Sequence, residues 1–312
     1  MATKLLLQPV HPFRLDLTAW ALQRRPGNLI DRWDGAAYRR VLTVEGSIFE
    51  VEVSQVGDAA RALVVTIAGD PLREKAKQRT REMLANALGV RIDLSAFYRM
   101  AEKHSRLKRL ARSFRGLKPP RFFSVYEGLI NGIACQQLSL SLGIQLLGRL
   151  ARKFGPSVGK GDSVSYGFPR PDDLANATPA DIRQLGFSLH KAGAMVEISR
   201  AIVEGWLDLD ALAAEGDDEA LRRLVELRGV GRWTAEYTLL RGLGRWHIFP
   251  VDDQGARNGL VHWLHLRKRL DASRTQRILD QWQPYGGLIY FHMLMNGLNE
   301  AGLLRGSLLG GA

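Results

Sequence analysis

The segment running from Leu221 to Tyr237 (LRRLVELRGVGRWTAEY) constrains the fold more than any other. Leu221, Leu224, Val225 and Leu227 recur at helical spacing and mark an amphipathic helix. That helix runs into Gly229-Val230-Gly231, and a second helix starts at once. Two glycines around one aliphatic residue permit a tight turn with positive φ and let another backbone approach closely. They also leave the first amide N–H groups of the second helix without side-chain caps. With the positive end of the helix dipole, those amides make a site for an anion such as a phosphate. A bare Gly-x-Gly would more often be an ordinary αα-turn. The leading helix and the immediate Arg-Trp-Thr-Ala-Glu start make this one far less generic.

Charge points the same way. The 312-residue chain has a net charge of +12 and a pI near 10.1, which favours a polyanion partner. The excess is concentrated between Arg99 and Arg121, where Arg99, Lys103, Arg106, Lys108, Arg109, Arg112, Arg115, Lys118 and Arg121 face Glu102 as the one acid. A solvated helix face would accommodate such a run, at the expense of self-repulsion. The single cysteine, Cys135, excludes an internal disulfide, a four-cysteine iron–sulfur cluster and a cysteine zinc site, and fits a reducing compartment. No apolar run is long enough for a membrane span, and the N-terminus lacks the pattern of a secretory signal.

Two patterns divide the chain. Up to about residue 70 it reads as β-rich. Phe49, Val51 and Val53 alternate with Glu50 and Glu52, Leu5–Leu7, Val41–Val44 and Ala62–Ile67 are similar short strands, and Gly46 and Gly57-Asp58 supply turns. A helix over Asp16–Gln23 is expected to stop at Pro26-Gly27. From Pro71 onward the spacing is helical: 72–88, 95–113, 122–135, 139–154, 179–185, 191–204, 218–227, 233–242, 253–265, 273–282 and 287–297. Residues 155–170 read as a loop and the Gly-rich tail Leu308–Ala312 as frayed. The expected fold class is α+β, with an N-terminal α/β domain (1–92) before an all-α domain (93–312).

The hairpin, a connecting helix over Ala235–Gly242 and the loop His247-Ile248-Phe249-Pro250-Val251-Asp252-Asp253 occur in an order and spacing that resemble the helix-hairpin-helix DNA glycosylase superfamily. That superfamily has a Gly/Pro-rich loop ending in an essential aspartate. Residues 168–175, Leu185-Gly186, Lys191-Ala192, Gln136-Gln137-Leu138-Ser139 and Trp282-Gln283-Pro284-Tyr285 resemble its bacterial 3-methyladenine DNA glycosylase II branch. The resemblance covers about residues 110–297. It implies a TATA-binding-protein-like N-terminal antiparallel β domain followed by two helical lobes, one at about 126–246 with the hairpin and one at about 93–125 plus 247–312.

The resemblance also implies roles. Register across Pro250 assigns Asp252 as the carboxylate that stabilises a cationic sugar, and Asp253 as the cap of the next helix. Trp233 stands where strand-nicking relatives carry a lysine. It has no nucleophilic amine and can stack on a flipped base, with Tyr237, Tyr285 and Leu294 completing the pocket. Gln137, with Leu138 beside it, is the wedge expected to fill the vacated stack. Gly229, Val230, Gly231, Arg232, Thr234, Arg112, Arg115 and Lys118 are the expected phosphate contacts. Leu294 replaces a tryptophan, and Gly286 an arginine, of the compared branch. The implied function is monofunctional excision of alkylated bases from double-stranded DNA by a cytoplasmic, nucleoid-associated monomer with no membrane partner. No cofactor is required, and a monovalent cation at the hairpin is left open. A glycosylase for deaminated or oxidised purines and a catalytically silent DNA-binding module are the alternatives.

Overall fold

The computed structural model describes residues 2–55, 62–69 and 71–304; the expected turn at Gly57-Asp58 and the tail Leu308–Ala312 lie outside them. The N-terminal part is an antiparallel five-stranded sheet of order β1-β5-β4-β3-β2. It is built from β1 (Thr3–Leu7), β2 (Arg32–Trp33), β3 (Ala37–Val44), β4 (Ser47–Gln55) and β5 (Leu63–Ile67). Phe49, Val51 and Val53 are buried on one face of β4, as alternation requires, and pair in the core with Leu63, Val65 and Ile67 of β5.

Two helices, α1 (Leu15–Gln23) and α2 (Glu74–Ala87), cover that sheet. α1 is apolar nearly all round, and each side has a partner. Leu15, Ala19 and Leu22 join the sheet core, whereas Leu17 and Ala21 join the core of the second helical lobe. The helix ends at Gln23 as expected, and Arg24 already turns left-handed (φ 61°) while its N–H still reaches the Trp20 carbonyl.

The helical part runs through α3 (Ser95–Ala101), α4 (Ser105–Ser113), α5 (Val125–Cys135), α6 (Leu140–Phe154), α7 (Pro171–Ala175), α8 (Pro179–Arg183), α9 (Leu189–Val203), α10 (Ala211–Ala214), α11 (Asp217–Val225), α12 (Arg232–Arg241), α13 (Gln254–Trp263), α14 (Ala272–Asp280) and α15 (Gly286–Glu300). The helix expected over 95–113 is two helices. A turn at Lys103 and His104 re-aims the chain so that Phe97 and Ala101 of α3 and Leu107 and Leu110 of α4 enter one core. The loop expected over 155–170 contains a short hairpin of β6 (Ser157–Val158) and β7 (Ser165–Tyr166), tied to the sheet by the Arg32 bond to Ser165 and a bridge from Gly167 to Val41. No helix among the described residues is long and apolar enough to cross a membrane.

One buried ion cluster fastens sheet to helices. Arg40 of β3, almost fully buried, donates to Asp31 (2.6 Å) and to Glu127 of α5 (2.7 Å), and its guanidinium lies 4.2 Å from the Phe123 ring centre. Tyr38 donates to the same Asp31 oxygen. Removing either partner from such a cluster leaves an uncompensated buried charge, so it fixes one docking geometry.

The second lobe encloses His292 of α15 against Phe97 and Phe114. Its Nδ1 donates to the Leu288 carbonyl at 2.7 Å, and burial pushes the imidazole down to about 4 from the ordinary 6.5. The unfolded chain therefore binds more protons than the folded one between those values, so stability falls as pH drops from about 6.5 towards 4 and levels below that. The gap corresponds to about 3 kcal/mol. Urea unfolding at pH 7 and pH 4.5 should show this loss in the wild type, and a large part of it should vanish in His292→Leu. Equal pH dependence in both proteins would refute the assignment.

Candidate active site

The hairpin is formed by α11 and α12. Gly229 takes the left-handed conformation (φ 78°), Val230 is buried, and Gly231 precedes α12 with no side-chain cap. A Cβ at Gly229 would lie 2.6 Å from that of Ala194, whereas one at Gly231 would meet nothing within 4 Å. α12 then packs backbone-close on α5. An added Cβ at Gly128 would meet the Gly242 Cα at 3.1 Å, and one at Gly132 the Thr234 methyl at 2.7 Å. Gln136, just past α5, locks the two together by donating to the Gly229 carbonyl and the Thr234 hydroxyl, both at 2.8 Å.

Between the lobes opens a cleft of about 950 Å³. Asp252 and Asp253 both line it, and Asp253 caps the next helix as expected, but it is also Asp253 rather than Asp252 that is held by other side chains of the cleft. Asp252 is exposed at the rim, and no hydrogen bond reaches its carboxylate among the described residues. Asp253 caps α13 through Oδ1, which accepts from the Ala256 N–H at 2.8 Å. Its Oδ2 accepts from Trp233 Nε1 and from the Tyr290 hydroxyl, each at 3.0 Å. The carboxylate held inside the cleft is thus Asp253, one residue beyond the expected position. Its capping geometry is what turns it over the helix start towards Trp233. The loop before it is also anchored, because the Val251 N–H donates to Glu236, which receives the Arg232 guanidinium on its other oxygen.

Trp233 and Tyr237 are stacked (centroids 5.4 Å apart, planes at 24°) along one wall. Tyr237 is buried, and its hydroxyl accepts from Arg24 at 3.1 Å; the same guanidinium donates to Asn131 at 2.8 Å. Burial pushes the Tyr237 and Tyr290 hydroxyls up, so both remain protonated donors. Met293 and Leu294 of α15 also line the cleft, Leu294 as expected. Gln137 and Leu138 are exposed on its rim, Gln137 in the left-handed region (φ 54°).

Several expected contacts lie elsewhere. Tyr285 stacks on Trp246 (6.0 Å, 13°) and packs edge-on against Phe97, inside the second lobe rather than in the cleft. Lys118 is buried, donates to the Ile92 carbonyl at 2.6 Å and is pushed down to about 8 by burial, so it is no surface cation. Arg115 lies over the Tyr98 ring and Arg112 pairs with Glu102; neither lines the cleft. The Thr234 hydroxyl faces inward to Gln136, whereas Arg232 is exposed at the cleft edge. The sequence reading missed Arg24, Arg25 and Tyr290, and gave Gln136 no role in the site. Tyr290 precedes Leu294 by one helical turn, a spacing that could have revealed it. Arg24 carries no such signal, because it arrives from another domain.

The family model of the HhH-GPD superfamily of base excision DNA repair proteins matches residues 130–284. The chain is similar to a putative DNA-3-methyladenine glycosylase of Bacillus subtilis, at 33% identity over 52% of this chain and 55% of that one. A second B. subtilis protein, a DNA-3-methyladenine glycosylase, is 29% identical over 65% of this chain and 68% of its own. The matches therefore span from about half to two thirds of those relatives' length. Among solved structures, the 3-methyladenine DNA glycosylase of Archaeoglobus fulgidus superposes with a TM-score of 0.80 at 25% identity, covering 93% of this chain and 97% of that one.

The hairpin's backbone demand is testable. Gly229→Ala meets both a positive φ and the Ala194 methyl, and should cost about 1–3 kcal/mol of stability. Gly231→Ala, with open space and φ −89°, should change it by less than about 0.5 kcal/mol. Chemical denaturation of the two variants measures the contrast; equal values would mean the hairpin does not depend on the left-handed turn.

Proposed function

We propose that the protein is a monofunctional DNA glycosylase that flips alkylated bases of the 3-methyladenine type out of duplex DNA and releases them hydrolytically. The observation that carries this reading is the Asp253 carboxylate, held in the cleft by Trp233 and Tyr290 beside an aromatic wall. Breaking the base–sugar bond builds positive charge on the sugar. A fixed anion placed there stabilises the transition state more than the ground state and can orient the attacking water. Here three uncharged donors fix the anion without neutralising it.

The walls suit the leaving base. An alkylated purine is cationic, and electron-rich Trp233 and Tyr237 favour it by stacking and cation–π attraction. The uncapped start of α12 offers its first N–H groups to a phosphate, with Arg232 beside them. Gln137 and Leu138, raised on a left-handed backbone at the rim, are positioned to fill the space the base vacates, which offsets part of the few kcal/mol that flipping costs.

Trp233 occupies the position from which strand-nicking relatives attack the sugar with an amine, and no lysine lines the cleft among the described residues. The proposed reaction therefore ends at an intact abasic site. Borohydride added during turnover should trap no protein–DNA adduct; a stable adduct would overturn the monofunctional reading.

Asp253→Asn keeps the cap and the hydrogen-bonding shape but removes the charge. Single-turnover excision from methylated DNA with saturating enzyme should fall by at least about a hundredfold. Asp252→Asn should stay within about threefold of the wild type, because that carboxylate is held by nothing in the cleft. The reverse outcome would restore the original register, and full activity in both variants would sink the mechanism.

A further inference from the structure

The second lobe carries a basic turn outside the cleft. α13 starts at the cleft, where Asp253 caps it and Gln254, Gly255 and Gly259 line the wall. Its ten residues carry the chain about 15 Å to Trp263, at 1.5 Å per residue. The chain then bends through His265 (φ 54°) into α14. From Gln254 to Leu270 there is no Asp or Glu. Gln254, Asn258 and His262 follow one another at four-residue spacing on the exposed side of α13, so a polar ridge without acids of its own joins cleft to turn; Glu300 approaches it, 3.3 Å from His262.

The ridge ends at a hollow of about 440 Å³ rimmed by Arg267, Lys268, Arg269, Arg274 and Arg277. Arg274 has Asp271 at 3.8 Å; the other four cations have no acidic partner among the described residues. Arg106 of α4 is tied to the same segment by donating to the Leu264 carbonyl. So many uncompensated cations within eleven residues repel one another in the free protein, and a polyanion relieves that repulsion.

We propose that this turn is a second contact for the DNA backbone. It would hold flanking duplex while the α12 start and the cleft hold the damaged nucleotide. The inference rests on the glycosylase reading of the cleft. One strand of B-DNA places a phosphate every 3.4 Å of rise, so a helix length of about 15 Å corresponds to about four to five nucleotides from the flipped one. An acidic peptide would satisfy the same charges, but the ridge leading back to the cleft, with no acid of its own, favours one polymer lying on both.

The test compares two duplexes carrying the same abasic-site analogue, one extending about three base pairs to each side and the other about twelve, so that only the longer reaches the turn. Affinity is read by fluorescence anisotropy across a salt series for wild type and for the triple variant Arg267→Ala, Lys268→Ala, Arg269→Ala. On the long duplex the slope of log K against log salt should become shallower by about two to three, at about 0.9 per lost contact. On the short duplex it should not change, and neither should single-turnover excision with saturating enzyme. An unchanged slope on the long duplex, or an equal loss on both, overturns the proposal. So does a selective loss of binding to a polyglutamate probe while the DNA slopes stay put. The double variant Arg274→Ala, Arg277→Ala, on α14 rather than in the turn, should show the same length dependence and keeps the test independent of the turn's own folding. If the wild type excised no alkylated base, the reading of the cleft would fail, while the length comparison would still report on the turn.

Discussion

The close approach of α12 to α5 governs the site. Glycine at 128, 132 and 242 lets the two backbones meet where any side chain would collide. That contact sets the height at which α12 presents Trp233 and Tyr237, and the position at which the turn after α5 presents Gln137 and Leu138. Gln136 bonds to both the hairpin carbonyl and Thr234, so rim, hairpin and aromatic wall form one rigid unit. A pocket of such rigidity favours any ligand that fits it, because geometry set before binding need not be ordered during it.

Asp253 shows how one side chain can satisfy a structural and a chemical demand together. One oxygen closes the start of α13 and the other faces the cleft, where it accepts from Trp233 and Tyr290. A cap is among the better-determined side-chain positions in a protein, since backbone amides hold it. Holding the cleft carboxylate at a cap fixes it with neutral donors and leaves its charge intact. Glu236 completes the support by tying the preceding loop to α12.

The N-terminal domain is part of the site rather than an appendage. α1 is buried on both sides, Arg40 docks the sheet on α5, and the left-handed end of α1 delivers Arg24 beneath Tyr237. Arg24 and Arg241 flank the ring of Phe122, 5.2 and 4.6 Å from its centre, and both lie at the back of the cleft. Arg24 thereby adds to Arg241 of α12 a second guanidinium that the helical lobes alone would lack.

The sequence by itself determined what depends on local pattern. Strand alternation at Phe49–Val53, the Gly-Val-Gly turn, the missing amine at position 233 and the family resemblance are properties of neighbouring residues, and all were legible. Tertiary structure decided the rest. Asp252 and Asp253 are chemically identical and adjacent, and it is the convergence of Trp233 and Tyr290 on Asp253 that makes the capping residue also the one held in the cleft. Lys118 and Tyr285 were expected at the surface and in the cleft, yet both point into cores that residues far away in the chain complete. Arg24 reaches Tyr237 across 213 positions, a separation over which no periodicity or spacing carries information. Local sequence fixes backbone conformation and which face is apolar, but the partner a side chain meets depends on how whole elements pack, and that is set by the chain as a unit.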